Sequence, residues 1–195
     1  MRPPGNIPPA RPAAGRKIRT FMRFTAPLLL ALGSSMAALP ALAAASENEV
    51  LIAARALGFL EKPLTGTVRV GIVYAPDNPQ SSEDGAGLQK IMESGLKVGG
   101  LTLRPVMVAI DGVDTANVDL LFLADGTGAR ASKAGDAARA KHIPCITLDI
   151  DQVKNGNCAI GIKSEPRVEI LVNHDAASRS GVSFAGAFKM LITEF

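Results

Sequence analysis

Hydrophobic and polar residues follow two different periods along the chain from residue 46 onwards. Apolar positions three and four residues apart predict an amphipathic helix within residues 47–60, and Pro63 ends it. Residues 67–74 (TVRVGIVY) are rich in β-branched side chains and become continuously apolar, as a buried central strand does. Similar patterns predict helices at 83–96, 126–141 and 184–195, and strands at 101–110, 118–124, 143–148, 158–162 and 167–172.

This order of elements predicts the fold class. Strands that alternate with helices form β-α-β crossovers, which give a mostly parallel sheet with helices on both faces. The last two strands are close together in the chain, with Pro166 between them, and are expected to form an antiparallel hairpin at one edge. We therefore expect an α/β protein: a single three-layer domain over residues 46–195 that ends in a helix.

The first part of the chain has the layout of a signal peptide. Six Lys and Arg residues and no acidic residue precede the apolar run 24–42, and small residues close that run in A-x-A order. Residues 1–45 are therefore expected to direct export to the periplasm, with cleavage near 43–45. An uncleaved anchor is the alternative, but Pro27 and Pro40 interrupt the unbroken apolar span that a membrane helix needs.

Export changes the charge of the protein. The leader carries six of the 21 Lys and Arg but none of the 18 Asp and Glu, so fifteen basic and eighteen acidic residues remain, a net charge of −3. A nucleic-acid-binding protein needs clustered basic residues, and this class is excluded.

Cys145 and Cys158 are the only cysteines, and both lie in the exported part. A pair of thiols in an oxidising compartment favours a disulfide, which would stabilise the domain by about 3 kcal/mol for a loop of this length. Two buried free thiols are the alternative. Their spacing matches no zinc motif, and His142 would add only a third ligand, so no metal site is predicted.

Few residues in the chain are suited to catalysis. It has two histidines, one tyrosine and no tryptophan, and neither a nucleophile elbow nor a phosphate-binding glycine motif occurs. His174 and Asp175 are adjacent, so they cannot take the geometry of a triad with Ser178, and Asn173 or Asp175 is better suited to capping a helix. The sequence predicts neither an enzyme nor a cofactor.

A ligand site is expected where the parallel strands end. Open α/β sheets bind ligands in the crevice at the carboxyl ends of their strands. The residues at two such ends are Tyr74, Asp77, Asn78, Asp125 and Thr127.

The segment 158–195 resembles the YfiR-like family of exported bacterial proteins. The matching features are a cysteine strand (CAIGI), a strand ending in Asn173, an Ala-Ala pair, the sequence Ser180-Gly-Val-Ser183 and an apolar final segment. The resemblance implies a periplasmic, non-enzymatic regulator that binds the periplasmic domain of an inner-membrane sensor, such as a diguanylate cyclase, and inhibits it. Unlike typical members, the chain has no tryptophan and two cysteines rather than four.

The sequence thus supports two functions. The first is the regulator that the resemblance implies. The alternative is a small periplasmic solute-binding protein of a transport system, because TVRVGIVYAPDNP resembles the first strand of such proteins, although about 150 residues is half of a two-lobed clamp. Self-association into a homodimer stays open.

Overall fold

The β-branched segment that follows the first helix forms the centre of an eight-stranded sheet. The computed structural model describes residues 45–195. The helices are α1 (Glu47–Leu57), α2 (Pro79–Met92), α3 (Ala131–Lys141), α4 (Ile150–Lys154), α5 (His174–Arg179) and α6 (Gly186–Lys189). The strands are β1 (Gly66–Tyr74), β2 (Leu96–Val98), β3 (Leu101–Ala109), β4 (Leu120–Leu123), β5 (Cys145–Thr147), β6 (Ile160–Lys163), β7 (Glu169–Val172) and β8 (Thr193–Glu194).

The strand order across the sheet is β2-β3-β1-β4-β5-β6-β7-β8. The five strands from β3 to β6 in this order are parallel, while β2 is antiparallel to β3 and β7 is antiparallel to β6. The expectation of a mostly parallel sheet with an antiparallel C-terminal hairpin is confirmed. One strand lies outside that hairpin, because β8 pairs in parallel with β7.

Both faces of the sheet are covered. Ile72 of β1 belongs to a buried cluster that includes the apolar face of α1, whereas the next residue, Val73, belongs to a second cluster with the alanines of α3. Neighbouring residues of a strand point to opposite faces, so α1 and α3 lie on opposite sides of the sheet. This is the three-layer arrangement that the element order predicts.

Helix α2 begins four residues earlier than the apolar pattern indicates. Asn78 caps it, since the Asn78 side chain accepts a hydrogen bond from the Gln80 N–H, and Pro79 occupies the first helical position. Pro is tolerated there because the first N–H groups of a helix have no partner within the helix. The polar residues that look like a loop in the sequence are thus the capped first turn of α2.

The terminal helix is shorter than the sequence predicts. The helix α6 covers only Gly186–Lys189, and the chain then forms β8. The Ser183 hydroxyl donates to a Glu61 carboxylate oxygen and does not cap the helix, and Gly186 is a weak helix former. Helix formation therefore has little local support here, and pairing with β7 determines the last residues.

The terminal phenylalanines are divided between core and surface. Phe184 and Phe188 are buried, as expected, whereas Leu191 and Phe195 are exposed. Their spacing would align all four on one face of the predicted helix 184–195 and make them a buried stripe, but that helix ends at Lys189, so the stripe does not form.

The predicted signal peptide lies outside the described residues, apart from Ala45. Within residues 45–195, none of the helices has the length and apolar character that crossing a membrane requires.

Candidate functional site

The carboxyl ends of β1 and β4 lie side by side in the middle of the sheet. Val73 pairs with Leu123, so the two following loops begin at the same level. The chain passes from β1 to β3 on one side and then returns to β4 on the other. Such a switch point leaves a crevice between the two loops, which is the usual ligand position in open α/β sheets. The five residues predicted from the sequence lie on these strand ends and loops.

Asn78 joins the two loops. Its Nδ2 donates to the Gly126 carbonyl oxygen at 2.7 Å, while its Oδ1 caps α2. Gly126 has a φ of +75°, and a Cβ there would lie 3.1 Å from both Asn78 Nδ2 and the Ser81 backbone nitrogen. The loops are in close contact at this point, and Asn78 has a positioning role.

Asp77 lies at the exposed rim of the site. Its carboxylate forms an ion pair with Arg130, whose guanidinium also lies 4.0 Å from Asp111. The hydrogen bond from Arg130 lowers the pKa of Asp77. Asp77 therefore carries a negative charge that is already paired with Arg130.

Tyr74 and Thr127 are less accessible. Thr127 is only 4% exposed, and Tyr74 is half-buried and packs against the core cluster on the α1 side. The Tyr74 Cβ lies 3.3 Å from the position of a Cβ on Gly85, so α2 packs closely against this strand end. Both side chains are therefore less available to a ligand than that of the exposed Asp77.

Asp125 has a carboxylate whose hydrogen-bonding capacity is not fully used. Its Oδ1 is buried and accepts no hydrogen bond from any residue of the described range 45–195. Its backbone N–H donates to Asp84 Oδ2 at 2.9 Å. Burial raises the pKa of Asp125 to about 6, with further increases from the negative charges of Asp84, Asp149 and Glu49. At neutral pH the crevice therefore holds a poorly solvated carboxylate.

Three further carboxylates lie close enough to Asp125 for their charges to raise its pKa, and the sequence pattern did not predict them. Asp84 of α2 is 8% exposed and accepts hydrogen bonds from the backbone of Ala45 and Asp125. Asp149 caps α4 directly after β5, so the strand-end rule could have found it. Glu49 of α1 accepts a hydrogen bond from Ser164. Burial opposes ionisation of Glu49, but its hydrogen bonds from Ser164 and Ser46 lower its pKa overall.

The site is thus an acidic crevice that collects carboxylates from several elements. It offers hydrogen-bond acceptors and negative charge, which favour a cationic or hydrogen-bond-donating ligand. No group of three or more His, Cys, Asp or Glu residues within the described part of the chain has an arrangement suited to a metal ion.

The two cysteines lie at the other end of the strands. Cys145 begins β5 and Cys158 precedes β6, and a disulfide joins them with their Cα atoms 4.8 Å apart. Each residue is 1% exposed. The bridge connects two neighbouring parts of the sheet, at the ends of the strands away from the crevice.

No family model and no curated protein sequence matches the chain. Among solved structures, a conserved domain protein from Vibrio cholerae is similar, with a TM-score of 0.52, 14% identity, and coverage of 76% of this chain and 59% of that one. An ABC domain in complex with L-Trp from Streptococcus pneumoniae has a TM-score of 0.54 at 11% identity, over 75% of this chain and 60% of the other. A ligand-free, open substrate-binding protein with adhesive properties from Clostridium difficile has a TM-score of 0.50 at 11% identity, over 77% and 59%.

These likenesses establish a shared fold. The chain shares its α/β fold with these three structures, and it spans about three-fifths of their length.

Proposed function

We propose that the protein is an exported solute-binding protein whose described domain holds a small cationic solute in the crevice between β1 and β4. The observation that carries this proposal is the buried Asp125 Oδ1, which has no hydrogen-bond partner among residues 45–195. Its position at the switch point of the sheet supports a ligand-binding role. The fold shared with a substrate-binding protein supports the same role.

The charge of the crevice supports a particular class of solute. An ammonium or guanidinium group can donate to Asp125 Oδ1 and offset the repulsion from Asp84, Asp149 and Glu49. An anionic solute would add to that repulsion. The similar domain from Streptococcus pneumoniae is in complex with L-Trp, so amino acids belong beside simple amines in a first ligand panel.

Export to the periplasm is part of this proposal. It is supported by the basic and apolar leader with its A-x-A sites, and by the disulfide between Cys145 and Cys158, which suits an oxidising compartment.

Calorimetric titration with amines, amino acids and matched carboxylic acids tests the proposal. We expect cationic solutes to bind and simple carboxylic acids to fail. Asp125→Asn should weaken binding by roughly tenfold or more, because a charge-assisted hydrogen bond becomes a neutral one. Affinity should rise between pH 5 and pH 7 as Asp125 ionises around its pKa of about 6.

Asp175→Asn is the matched control. Asp175 is exposed at the start of α5, which follows β7, three strands away from β4, and its replacement should leave binding unchanged. Equal affinity in the wild type and Asp125→Asn, or selective binding of carboxylic acids, would contradict the proposal.

A second candidate is the regulator that inhibits an inner-membrane sensor enzyme by direct contact. The observation that favours it is the exposure of large apolar side chains in the terminal segment, where the YfiR-like resemblance is strongest. Met190 is 88% exposed, Leu191 73% and Phe195 48%. Exposed apolar side chains are frequent at protein contact surfaces.

Complementation of a deletion strain separates the two candidates. For the regulator, deletion raises cellular cyclic di-GMP, Asp125→Asn restores the normal level, and Leu191→Asp does not. An unchanged cyclic di-GMP level in the deletion strain would contradict the regulator, while loss of solute uptake would support the first candidate.

A further inference from the structure

A separate cavity lies at the amino-terminal ends of the parallel strands, opposite the acidic crevice. It has a volume of about 450 Å³ and lies between the end of α1 and the turn that joins β2 to β3. Its apolar lining includes Phe59, Pro63, Leu64, Val98 and Leu101. A volume of this size and a mainly apolar lining with few polar groups are typical of small-molecule sites.

Phe59 forms a fixed aromatic wall of this cavity. Its side chain is 47% exposed, yet its ring stacks on the buried Phe188 with centroids 4.3 Å apart and planes within 5°. The Phe59 carbonyl also accepts a hydrogen bond from the Ala185 N–H at 2.9 Å. An exposed ring that is already held in place loses little conformational freedom when a ligand packs against it.

Glycines keep the cavity open on the side of the β2–β3 turn. Gly99 has a φ of +58°, and a Cβ on either Gly99 or Gly100 would meet no atom within 4 Å. The backbone therefore lines the cavity there without side chains. Gly100 has no positive φ, so a larger residue can be placed at this position without backbone strain.

Arg55 is the one charged side chain among the described residues that line the cavity. It is exposed on the last turn of α1, and no carboxylate within residues 45–195 lies within 4.0 Å of its guanidinium. A guanidinium recognises a carboxylate through two parallel hydrogen bonds. The cavity thus combines an apolar body with a single cationic group at its wall.

We propose that this cavity binds an amphiphilic carboxylate, with the hydrocarbon part against Phe59 and the carboxylate on Arg55. This cavity favours a negatively charged ligand, whereas the crevice around Asp125 favours a positively charged one. The two sites lie at opposite ends of the parallel strands. Occupation of this cavity is therefore independent of the solute site proposed above.

Titration of the purified protein with decanoate, below its micelle concentration, tests the proposal, with decylamine and decanol as cationic and neutral probes. We expect saturable binding of decanoate, weaker binding of decanol and the weakest binding of decylamine. Arg55→Gln should weaken decanoate binding about tenfold and leave decanol binding nearly unchanged, because only the carboxylate uses the guanidinium.

Gly100→Leu fills the cavity and should weaken decanoate and decanol together. Arg179→Gln, which removes an exposed arginine of α5 outside the cavity, should change neither. Circular dichroism and thermal melting confirm that each variant is folded before its binding is compared.

Three results would overturn the proposal: no saturable binding of decanoate, equal affinity in Arg55→Gln, or equal affinity for decylamine. The first, with a folded wild-type protein, would favour a polypeptide side chain as the occupant of the cavity. Binding of decanoate should survive Asp125→Asn, so failure at one site is distinguishable from failure at the other.

Discussion

Asp125 acquires its chemical character from residues that are distant in the chain. Its backbone is hydrogen-bonded to Asp84 of α2, and burial is the largest cause of its raised pKa. The crevice carboxylates Asp149 and Glu49 come from the turn after β5 and from α1. A solvated aspartate in a loop would have an ordinary pKa, so the fold converts Asp125 into a poorly solvated acceptor.

The raised pKa of Asp125 predicts a specific dependence of stability on pH. The folded state holds the Asp125 proton up to about pH 6, whereas the unfolded state releases it near the ordinary value of 3.8. The contribution of Asp125 to stability is therefore present below pH 3.8 and is lost as the pH rises through 6. Asp125→Asn should gain roughly 2 kcal/mol relative to the wild type between pH 4 and pH 7.

Urea unfolding at a series of pH values measures this difference directly. The other carboxylates titrate in both proteins, so their effects cancel when the two unfolding free energies are subtracted. Asp175→Asn should give a curve parallel to the wild type. A constant difference between Asp125→Asn and the wild type across this range would show that Asp125 has an ordinary pKa.

The sequence identified some crevice residues and missed others for a physical reason. Asp125 and Asn78 lie in the loops that follow two parallel strands, so the strand-end rule places them at the same end of the sheet. Asp84 and Glu49 belong to helices, where an acidic residue is usually an exposed surface position. Only the packing of α1 and α2 against the sheet brings these two carboxylates to the crevice, and no local sequence pattern predicts that packing.

Helix interiors contain glycines whose structural roles differ. Gly87 lies within α2, and a Cβ there would meet no atom within 4 Å. Gly135 lies within α3, and a Cβ there would lie 2.6 Å from the Asn157 carbonyl oxygen. The first glycine only weakens its helix, whereas the second allows α3 to approach the turn before β6.

Replacement of these two glycines by alanine should change stability in opposite directions. Gly87→Ala should stabilise the protein by about 0.5–1 kcal/mol, because alanine loses less backbone entropy in a helix. Gly135→Ala should destabilise it by roughly 1–3 kcal/mol, because the Asn157 backbone must move. Thermal or urea unfolding of the two variants measures both effects, and a destabilised Gly87→Ala or a neutral Gly135→Ala would contradict this packing.

Elements with strong local signals were predicted well, and those that depend on tertiary contacts were not. The segment rich in β-branched residues predicts β1, which the structure confirms. The helix predicted at 184–195 fails because α6 has no side-chain cap and the following residues Thr193 and Glu194 pair with β7. A short apolar pattern cannot reveal that competition, since the partner strand lies elsewhere in the chain.

At the scale of the whole molecule, the order of elements was sufficient to predict the α/β class. Right-handed crossovers and short connections leave few arrangements for alternating strands and helices, and the mostly parallel sheet with a C-terminal hairpin is one of them. The addition of β8 outside that hairpin was not predictable, because a strand of two residues has no periodicity to detect. The sequence thus predicts the fold class better than it predicts the pairing of the edge strands.

The disulfide links the stability of the whole molecule to its redox state. Cys145 and Cys158 are each 1% exposed, so a reducing thiolate cannot reach either sulfur while the surrounding sheet is folded. We expect dithiothreitol to reduce the bridge at least a hundredfold more slowly in native buffer than in concentrated urea, because reduction must wait for an opening of the structure. Alkylation of the released thiols and mass spectrometry at successive times measure both rates.

Reduction should also lower the free energy of unfolding by about 3 kcal/mol, since the loop closed by the bridge regains its freedom in the unfolded state. Slow reduction of the native protein would show that the bridge is a structural crosslink. Equal rates with and without urea would mean that the sulfurs are accessible in the folded protein and available for redox regulation.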